Sequence, residues 1–278
     1  MKLTNYWFIG CRTIGLVAVS FSLASFANAQ GADVQVEGPP NTQLGLAVAS
    51  VPDYWGSSNT TGAVAPIARY QFSGTQYYIS WMGPTIKANL INDSSWNAGP
   101  LLKFRAARDD NVNDSVVSRM DKVDAVVEAG GFVDYILPMS AEKGHALVFG
   151  VDVEGGKNGT EANLRVTYKH PFSEDLAGSI GVGMTYGNDK LAETYFGVTG
   201  AHDIALYPSL KGKPYDASSG IVSWNVPIVL TYRLDQAWTL LGVVRFEQLQ
   251  GDAKDSPVVS ERGDKNQFVA GIGVSYLF

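Results

Sequence analysis

The last twelve residues of the chain, Gln267 to Phe278, read Q-F-V-A-G-I-G-V-S-Y-L-F. Successive side chains of a strand point to opposite faces, so this segment would have one wholly apolar face and one face of mostly small or polar residues. The apolar face carries Phe268, Ala270, Ile272, Val274, Tyr276 and Phe278. A tilted strand that crosses a bilayer needs about ten residues. The segment therefore predicts a membrane-spanning strand with one lipid-facing side.

The same alternation recurs upstream, which indicates that this strand belongs to a larger sheet. We count twelve strand candidates, at residues 43–51, 64–72, 75–81, 85–91, 96–106, 125–137, 145–153, 161–169, 176–186, 220–233, 238–249 and 267–278. Bacterial single-chain barrels have an even number of strands, with short periplasmic turns and longer extracellular loops. Here the longer connections mostly follow odd-numbered candidates. We therefore predict an all-β fold, an antiparallel transmembrane β-barrel of twelve strands with both termini in the periplasm.

The first 29 residues have the features of a secretory signal peptide. Lys2 and Arg12 supply positive charge, residues 13–26 form an apolar stretch, and residues 27–29 read A-N-A, an A-x-A cleavage site. We predict that residues 1–29 direct Sec-dependent export and that residues 30–278 form one barrel domain. Cys11 is the only cysteine, so the mature chain would hold no disulfide and no cysteine-based metal site.

Composition narrows the class of protein further. Charged residues make up 17% of the chain, against about 25% in soluble globular proteins. The net charge is −6, and removal of Lys2 and Arg12 leaves 19 basic against 27 acidic residues, or −8. An acidic exported protein is a poor candidate for binding nucleic acid. No later segment reaches about 18 consecutive apolar residues, so a closed barrel is the remaining way to span a bilayer.

The face opposite the apolar one carries many charged residues. These are Arg69, Lys87, Lys103, Arg105, Arg165, Lys169, Arg233 and Arg245, with the acids Glu128, Asp134, Glu161 and Glu247. If they face the lumen, they could pair with one another and fill a narrow barrel. The alternative is a lumen with a basic excess that passes small anions, since twelve strands lie between filled eight-stranded barrels and sixteen-stranded porins.

We searched the chain for catalytic and metal-binding patterns. The three histidines, His145, His170 and His202, lack a histidine or cysteine partner at i+2 or i+4. Residues 109–114 begin like a calcium loop, but the sixth position is not Gly and Met120 stands where the loop needs Glu. The chain has no G-x-S-x-G motif. We therefore expect no catalytic residue, no cofactor and no metal site.

Three internal motifs and the C-terminus resemble one protein family. Residues 51–57 read V-P-D-Y-W-G-S, residues 195–198 read Y-F-G-V, and residues 251–259 read G-D-A-K-D-S-P-V-V. With the G-x-G-x-x-Y-x-F ending, they are similar to motifs of the MipA/OmpV family of outer-membrane proteins. The motif positions are Pro52, Tyr54, Gly56, Tyr195, Phe196, Gly197, Asp252, Asp255, Ser256 and Pro257. The sequence Asp-Ser-Pro at 255–257 also suits a turn.

The resemblance implies a barrel of the Gram-negative outer membrane, in contact with lipid and lipopolysaccharide, without catalytic residues. It implies a scaffold that joins a lytic murein transglycosylase to a bifunctional murein synthase. The aromatic ending, Tyr276 and Phe278, resembles the signal that the barrel-assembly machinery reads. Two alternatives remain at this stage. One is a narrow channel for small solutes, and the other is a surface adhesin or antigen built from the loops that start at Pro52, Arg108, Gly187 and Gln250.

Overall fold

The computed structural model describes residues 42–140 and 144–278. Twelve antiparallel strands form a closed barrel in which each strand pairs with its neighbours in sequence and the last strand pairs with the first. The strands are β1 Gln43–Pro52, β2 Thr60–Gln71, β3 Tyr78–Met82, β4 Thr85–Asn89, β5 Trp96–Arg105, β6 Val126–Pro138, β7 Ala146–Gly156, β8 Gly159–Pro171, β9 Leu176–Gly187, β10 Gly220–Arg233, β11 Trp238–Leu249 and β12 Asn266–Leu277. The predicted twelve-stranded barrel is confirmed. The predicted signal peptide, residues 1–29, lies outside the described residues and stays a prediction.

Strand boundaries differ most from the sequence prediction at β2 and β3. β2 begins at Thr60 rather than at Val64, because Thr60 to Ala63 pair with β1 although Thr61 and Gly62 look like loop residues. β3 begins at Tyr78 rather than at Thr75, because Thr75 closes the preceding turn through a hydrogen bond to the Phe72 carbonyl. In both places the register with a partner strand outweighs local composition.

The outward face of the barrel is apolar, as the alternation predicts. On β12, Ile272 on the outer face is 69% exposed, whereas Val269 on the lumen face is 4% exposed. Exposed large apolar side chains occur on every strand, for example Leu46, Trp81 and Val182. Within residues 42–140 and 144–278, the helices are too short and too polar to span a membrane.

Four connections at one end of the barrel fold together into a unit that we call the cap: residues 53–59, 106–125, 188–219 and 250–265. They contain the helices α1 Asp189–Phe196, α2 Ala201–Leu206, α3 Gly251–Asp255 and α4 Pro257–Ser260, and two 3-10 helices, Val117–Arg119 and Pro208–Leu210. The long connection after β9 thus carries its own structure, as its length suggests. The cap lies at the end opposite residue 42 and Phe278, because its connections follow odd-numbered strands.

The apolar core belongs mainly to the cap rather than to the barrel. One cluster groups Trp55, Leu191, Phe196, Leu249 and Val259 with their neighbours, and a second groups Tyr54, Val117, Met120, Val198, Tyr207 and Val258. Each cluster combines residues from three or more connections, so none of the connections buries its apolar side chains alone. The four connections are therefore expected to fold cooperatively.

Candidate functional site

The residues of the three sequence motifs meet in the cap. The Ser256 hydroxyl donates to the Phe196 carbonyl at 2.5 Å and accepts from the Val258 N–H at the start of α4. The Tyr54 hydroxyl donates to the Arg262 carbonyl at 3.3 Å. The ring of Trp55 packs on Phe196 with centroids 5.1 Å apart. Motifs that are about 200 residues apart in sequence thus form one structural junction.

Gly56 and Gly197 are required by close packing. Gly56 has φ +99°, and a Cβ there would lie 2.5 Å from Cγ2 of Val259. Gly197 ends α1, and its Cβ would lie 2.5 Å from the Glu193 carbonyl oxygen. Both positions therefore exclude a side chain for steric reasons, and Gly56 also for backbone reasons.

The remaining motif residues lie beside the same junction. The Asp252 carboxylate accepts from the Ser218 N–H at 2.8 Å, and the Asp252 carbonyl accepts from the Tyr215 hydroxyl at 2.8 Å. Burial and the charges of Asp252 and Asp255 raise the pKa of Tyr215 to about 12. Pro257 occupies the first turn of α4, where its fixed φ suits the helix, and Pro52 ends β1.

Two charged side chains hold the connections of the cap together. The Arg108 guanidinium is buried and donates to the Tyr195 carbonyl at 3.0 Å, and burial lowers the pKa of Arg108. The Asp114 carboxylate accepts from Arg262 at 2.7 Å. Burial would raise the pKa of Asp114, but the hydrogen bonds from Arg262 and from the N–H groups of Val117 and Val116 outweigh it and lower that pKa.

Beneath the cap, charged side chains pair in the lumen. Lys103 contacts Glu154 at 3.1 Å and also Glu161, and both carboxylates are buried. Arg105 contacts Glu128 at 3.0 Å and Glu161 at 2.6 Å. The five side chains form one network, so each buried charge has an opposite charge in contact, which is the condition for burying it.

A second set of ion pairs lies further from the cap. Lys87 contacts Asp152 at 3.2 Å, and Arg165 bridges Asp152 and Asp134. Separately, Arg245 contacts Glu247 at 2.5 Å on β11. These contacts account for nine of the twelve charged residues that the sequence placed on the inward face, in addition to Asp152 and Glu154.

The other three predicted lumen residues lie towards the uncapped end. The Arg69 guanidinium stacks on Tyr78 at 3.8 Å from the ring centroid. Lys169 is half-buried near the end of β8, and Arg233 is exposed at the end of β10. The structure therefore brings nine of the predicted charges into the ion pairs described above and places the other three nearer the uncapped end.

Sequence reasoning missed Asp152 and Glu154, two lumen acids on β7. Their inward position could have been predicted from the sequence, because they alternate with Val151 and Val153 on a strand whose other face is apolar. Adding them changes the balance of inward charges from eight basic against four acidic to eight against six, so the basic excess falls from four to two. This weakens the interpretation of the lumen as an anion passage.

The cap is joined to the lumen network by aromatic residues. The Arg105 guanidinium lies 5.3 Å from the ring centroid of Trp55 and 5.1 Å from that of Tyr195. The Trp55 indole N–H donates to Glu247 at 3.4 Å. Arg105 thus contacts two carboxylates on the lumen side and two aromatic rings on the cap side.

The histidines and the acidic loop can be checked for metal binding. His145 and His170 approach to 5.1 Å between ring centroids, a proximity that their spacing in sequence does not reveal. In the acidic loop, Asp110 pairs with Lys122 at 3.0 Å and Asp114 with Arg262. In the described part of the chain, no three potential metal ligands come together.

The comparison with protein families identifies the chain. The model of the family described as "MltA-interacting protein MipA" matches residues 44–278. The chain belongs to the MipA family. The MipA match covers all twelve strands and the whole cap, and a MipA barrel with an apolar outer face is a protein of the outer membrane. A search of curated proteins found no match to this MipA family member.

Solved outer-membrane barrels are similar to this MipA family member only in general shape. An outer-membrane channel from Pseudomonas putida is 11% identical, with 90% of this chain and 100% of that chain covered and a TM-score of 0.47. The translocator domain of the autotransporter NalP from Neisseria meningitidis is 8% identical, with 88% and 90% covered and a TM-score of 0.46. The NanC porin is 13% identical, with 83% and 98% covered and a TM-score of 0.40. At these TM-scores the likeness carries no inference about function.

Proposed function

We propose that this protein is a non-enzymatic outer-membrane scaffold that docks a lytic murein transglycosylase and a bifunctional murein synthase. The observation that carries the proposal is the family match over residues 44–278, whose description names an interaction with MltA. The packing is in keeping with this role. The polar residues of the cap and the upper lumen bond mainly to one another, as in a rigid support.

The docking surface that we propose is the uncapped end, which we assign to the periplasm. The short turns at this end begin with exposed apolar side chains: Leu90, Met139, Phe172 and Leu234. Residue 42 and Phe278 lie at the same end, since the Phe278 N–H donates to the Thr42 carbonyl. A periplasmic enzyme can reach only this end of a membrane-embedded barrel. We include the turn after β6 in this surface, because β6 ends at Pro138 at this end of the barrel; residues 141–143 of that turn lie outside the described part.

A pull-down from solubilised envelopes tests both parts of the proposal. The test variant replaces Met139, Phe172 and Leu234 with Ser, and the matched control replaces Lys190, Lys211 and Lys213 with Ser on the exposed surface of the cap. We expect the wild type and the control to recover murein enzymes and the test variant to recover fewer. Recovery of no murein enzyme by the wild type would contradict the scaffold role. Equal recovery by both variants would contradict the docking surface.

A second candidate function, surface adhesion, is supported by the folding of four connections into one cap. A folded surface of this kind can present a fixed set of side chains to a binding partner, which separate mobile loops cannot. Cells that lack the protein should then bind less to host matrix than cells that carry it. Equal binding by the two strains would remove this candidate.

A further inference from the structure

A cavity of about 130 Å³ lies in the lumen, below the cap. One wall consists of small and apolar residues of β1, β2, β11 and β12, such as Ala49, Ala65 and Val269. The other wall carries polar and charged side chains, among them Lys87 and Arg165, which both pair with Asp152 of the same wall. Since one water takes up about 30 Å³ in the liquid, the cavity has room for roughly four waters or one small organic molecule.

Arg245 borders this cavity and is incompletely bonded. Its side chain is 5% exposed, and its Nη2 donates to Glu247. Its Nε and Nη1 find no hydrogen-bond partner in the described part of the chain. Glu247 cannot compensate fully, because its other oxygen accepts from Trp55. Buried donors of a charged group are costly to leave unpaired, so these two nitrogens require acceptor atoms that the described residues do not supply, from water or from a ligand.

Lumen-facing side chains become more exposed towards the uncapped end. On β8, exposure rises along the strand from Glu161, which is 2% exposed, through Arg165, whose side chain is 15% exposed, to the half-buried Lys169. Towards the cap, the Arg105 guanidinium lies against the rings of Trp55 and Tyr195. We therefore expect a solute to reach the cavity from the uncapped end.

We propose that this cavity binds a small organic acid, with its carboxylate on Arg245 and its short apolar part against the Ala49 and Ala65 wall. Because Nη2 is already bonded to Glu247, Nε and Nη1 lie on different edges of the guanidinium plane, and a bound carboxylate would accept a charge-assisted hydrogen bond from one of them. The apolar wall distinguishes an organic acid from an inorganic anion, which would gain nothing from it. This site is independent of the scaffold role, because it lies inside the barrel rather than on the turns.

Titration of the detergent-folded protein with ¹³C-labelled butyrate, followed by NMR line broadening, tests the site. Acetate and inorganic phosphate serve as comparison ligands. We expect saturable one-site binding of butyrate, weaker binding of acetate, and at least about tenfold weaker butyrate binding in Arg245→Gln, since the charge-assisted bond is lost. The matched control is Arg233→Gln, which removes an exposed arginine of the neighbouring strand and should bind as the wild type does.

A second variant, Ala49→Leu, tests the same site independently, in case Arg245→Gln does not fold. Ala49→Leu keeps every charge and fills the cavity from the apolar wall, so it should also abolish butyrate binding. Folding of each variant is checked by its heat-dependent mobility in SDS gels. Absence of saturable binding in the wild type, binding of phosphate without butyrate, or unchanged butyrate affinity in the folded variants would overturn the proposal.

Discussion

Single residues decide how tightly the cap closes, and Gly56 offers the sharpest test. Gly56→Ala forces a side chain into positive φ and against Val259, which we expect to destabilise the protein by about 1–3 kcal/mol. Gly74→Ala is the matched control, because Gly74 has φ +73° but no atom within 4 Å of the added Cβ. Urea unfolding of the detergent-folded protein should show the larger shift for Gly56→Ala. Equal shifts would mean that packing against Val259 contributes nothing.

The ion pair between Asp114 and Arg262 makes the cap sensitive to acid. The pKa of Asp114 is lowered in the folded protein from its ordinary value of 3.8. A lowered carboxyl pKa contributes stability that is present above the unfolded pKa and is lost as pH falls through the folded one. We therefore expect the urea concentration at the midpoint of unfolding to decrease as the pH drops below about 4 in the wild type. The decrease should be smaller in Arg262→Gln.

Lys122→Gln is the control for this pH effect. Lys122 pairs with Asp110, but both side chains are more than half exposed, and solvent screening leaves such exposed pairs with little effect on stability. This variant should therefore keep the acid dependence of the wild type. The assignment to Asp114 would be wrong if Arg262→Gln and Lys122→Gln showed the same pH profile.

At the scale of the elements, strands and connections have separate tasks. The strands place apolar side chains on lipid and paired charges in the lumen. The connections supply the apolar clusters that close one end. A barrel of this kind should conduct only when that closure is removed.

Conductance in planar bilayers tests this division. The wild type should show no steps at high salt, because the cap and the ion pairs around Arg105 block the path. A variant in which a Gly-Ser linker replaces residues 190–217 loses α1 and α2 and should show steps. Steps of equal size in both proteins would instead support the narrow-channel alternative.

At the scale of the whole molecule, closure of the barrel depends on β12 reaching β1. The Phe278 N–H donates to the Thr42 carbonyl at 2.8 Å, and Tyr276 lies between the rings of Trp238 and Phe278. An unclosed barrel would expose two strand edges to lipid, where unpaired backbone groups are costly. The last strand is therefore the point at which assembly can fail.

Deletion of Phe278 should lower the amount of the protein in the outer membrane several-fold, because the assembly signal that we predict would be incomplete. Immunoblots of fractionated envelopes measure this amount. Phe172→Ala is the control, since Phe172 is an equally exposed aromatic residue at the same end of the barrel. A normal level after deletion of Phe278 would refute the predicted role of the aromatic ending.

The number and position of the strands, the lipid-facing side chains and most inward charges could be predicted from the sequence. Alternation with a period of two is a local property, and lipid on one side of the wall imposes it on each strand separately. Ile272 and Leu46 are therefore assigned to the outside without knowledge of any partner strand.

Only the tertiary structure decided which side chains meet inside the barrel and the cap. Contacts between distant parts of the chain decide three features of the interior. These are the pairing of Lys103 with Glu154 and Glu161, the meeting of Tyr54, Phe196 and Ser256, and the unpaired donors of Arg245. A local pattern states which face a side chain takes, but not which neighbours it meets there. Closure of the barrel and the folding of the cap choose those neighbours, because they fix how far each strand is shifted along the next.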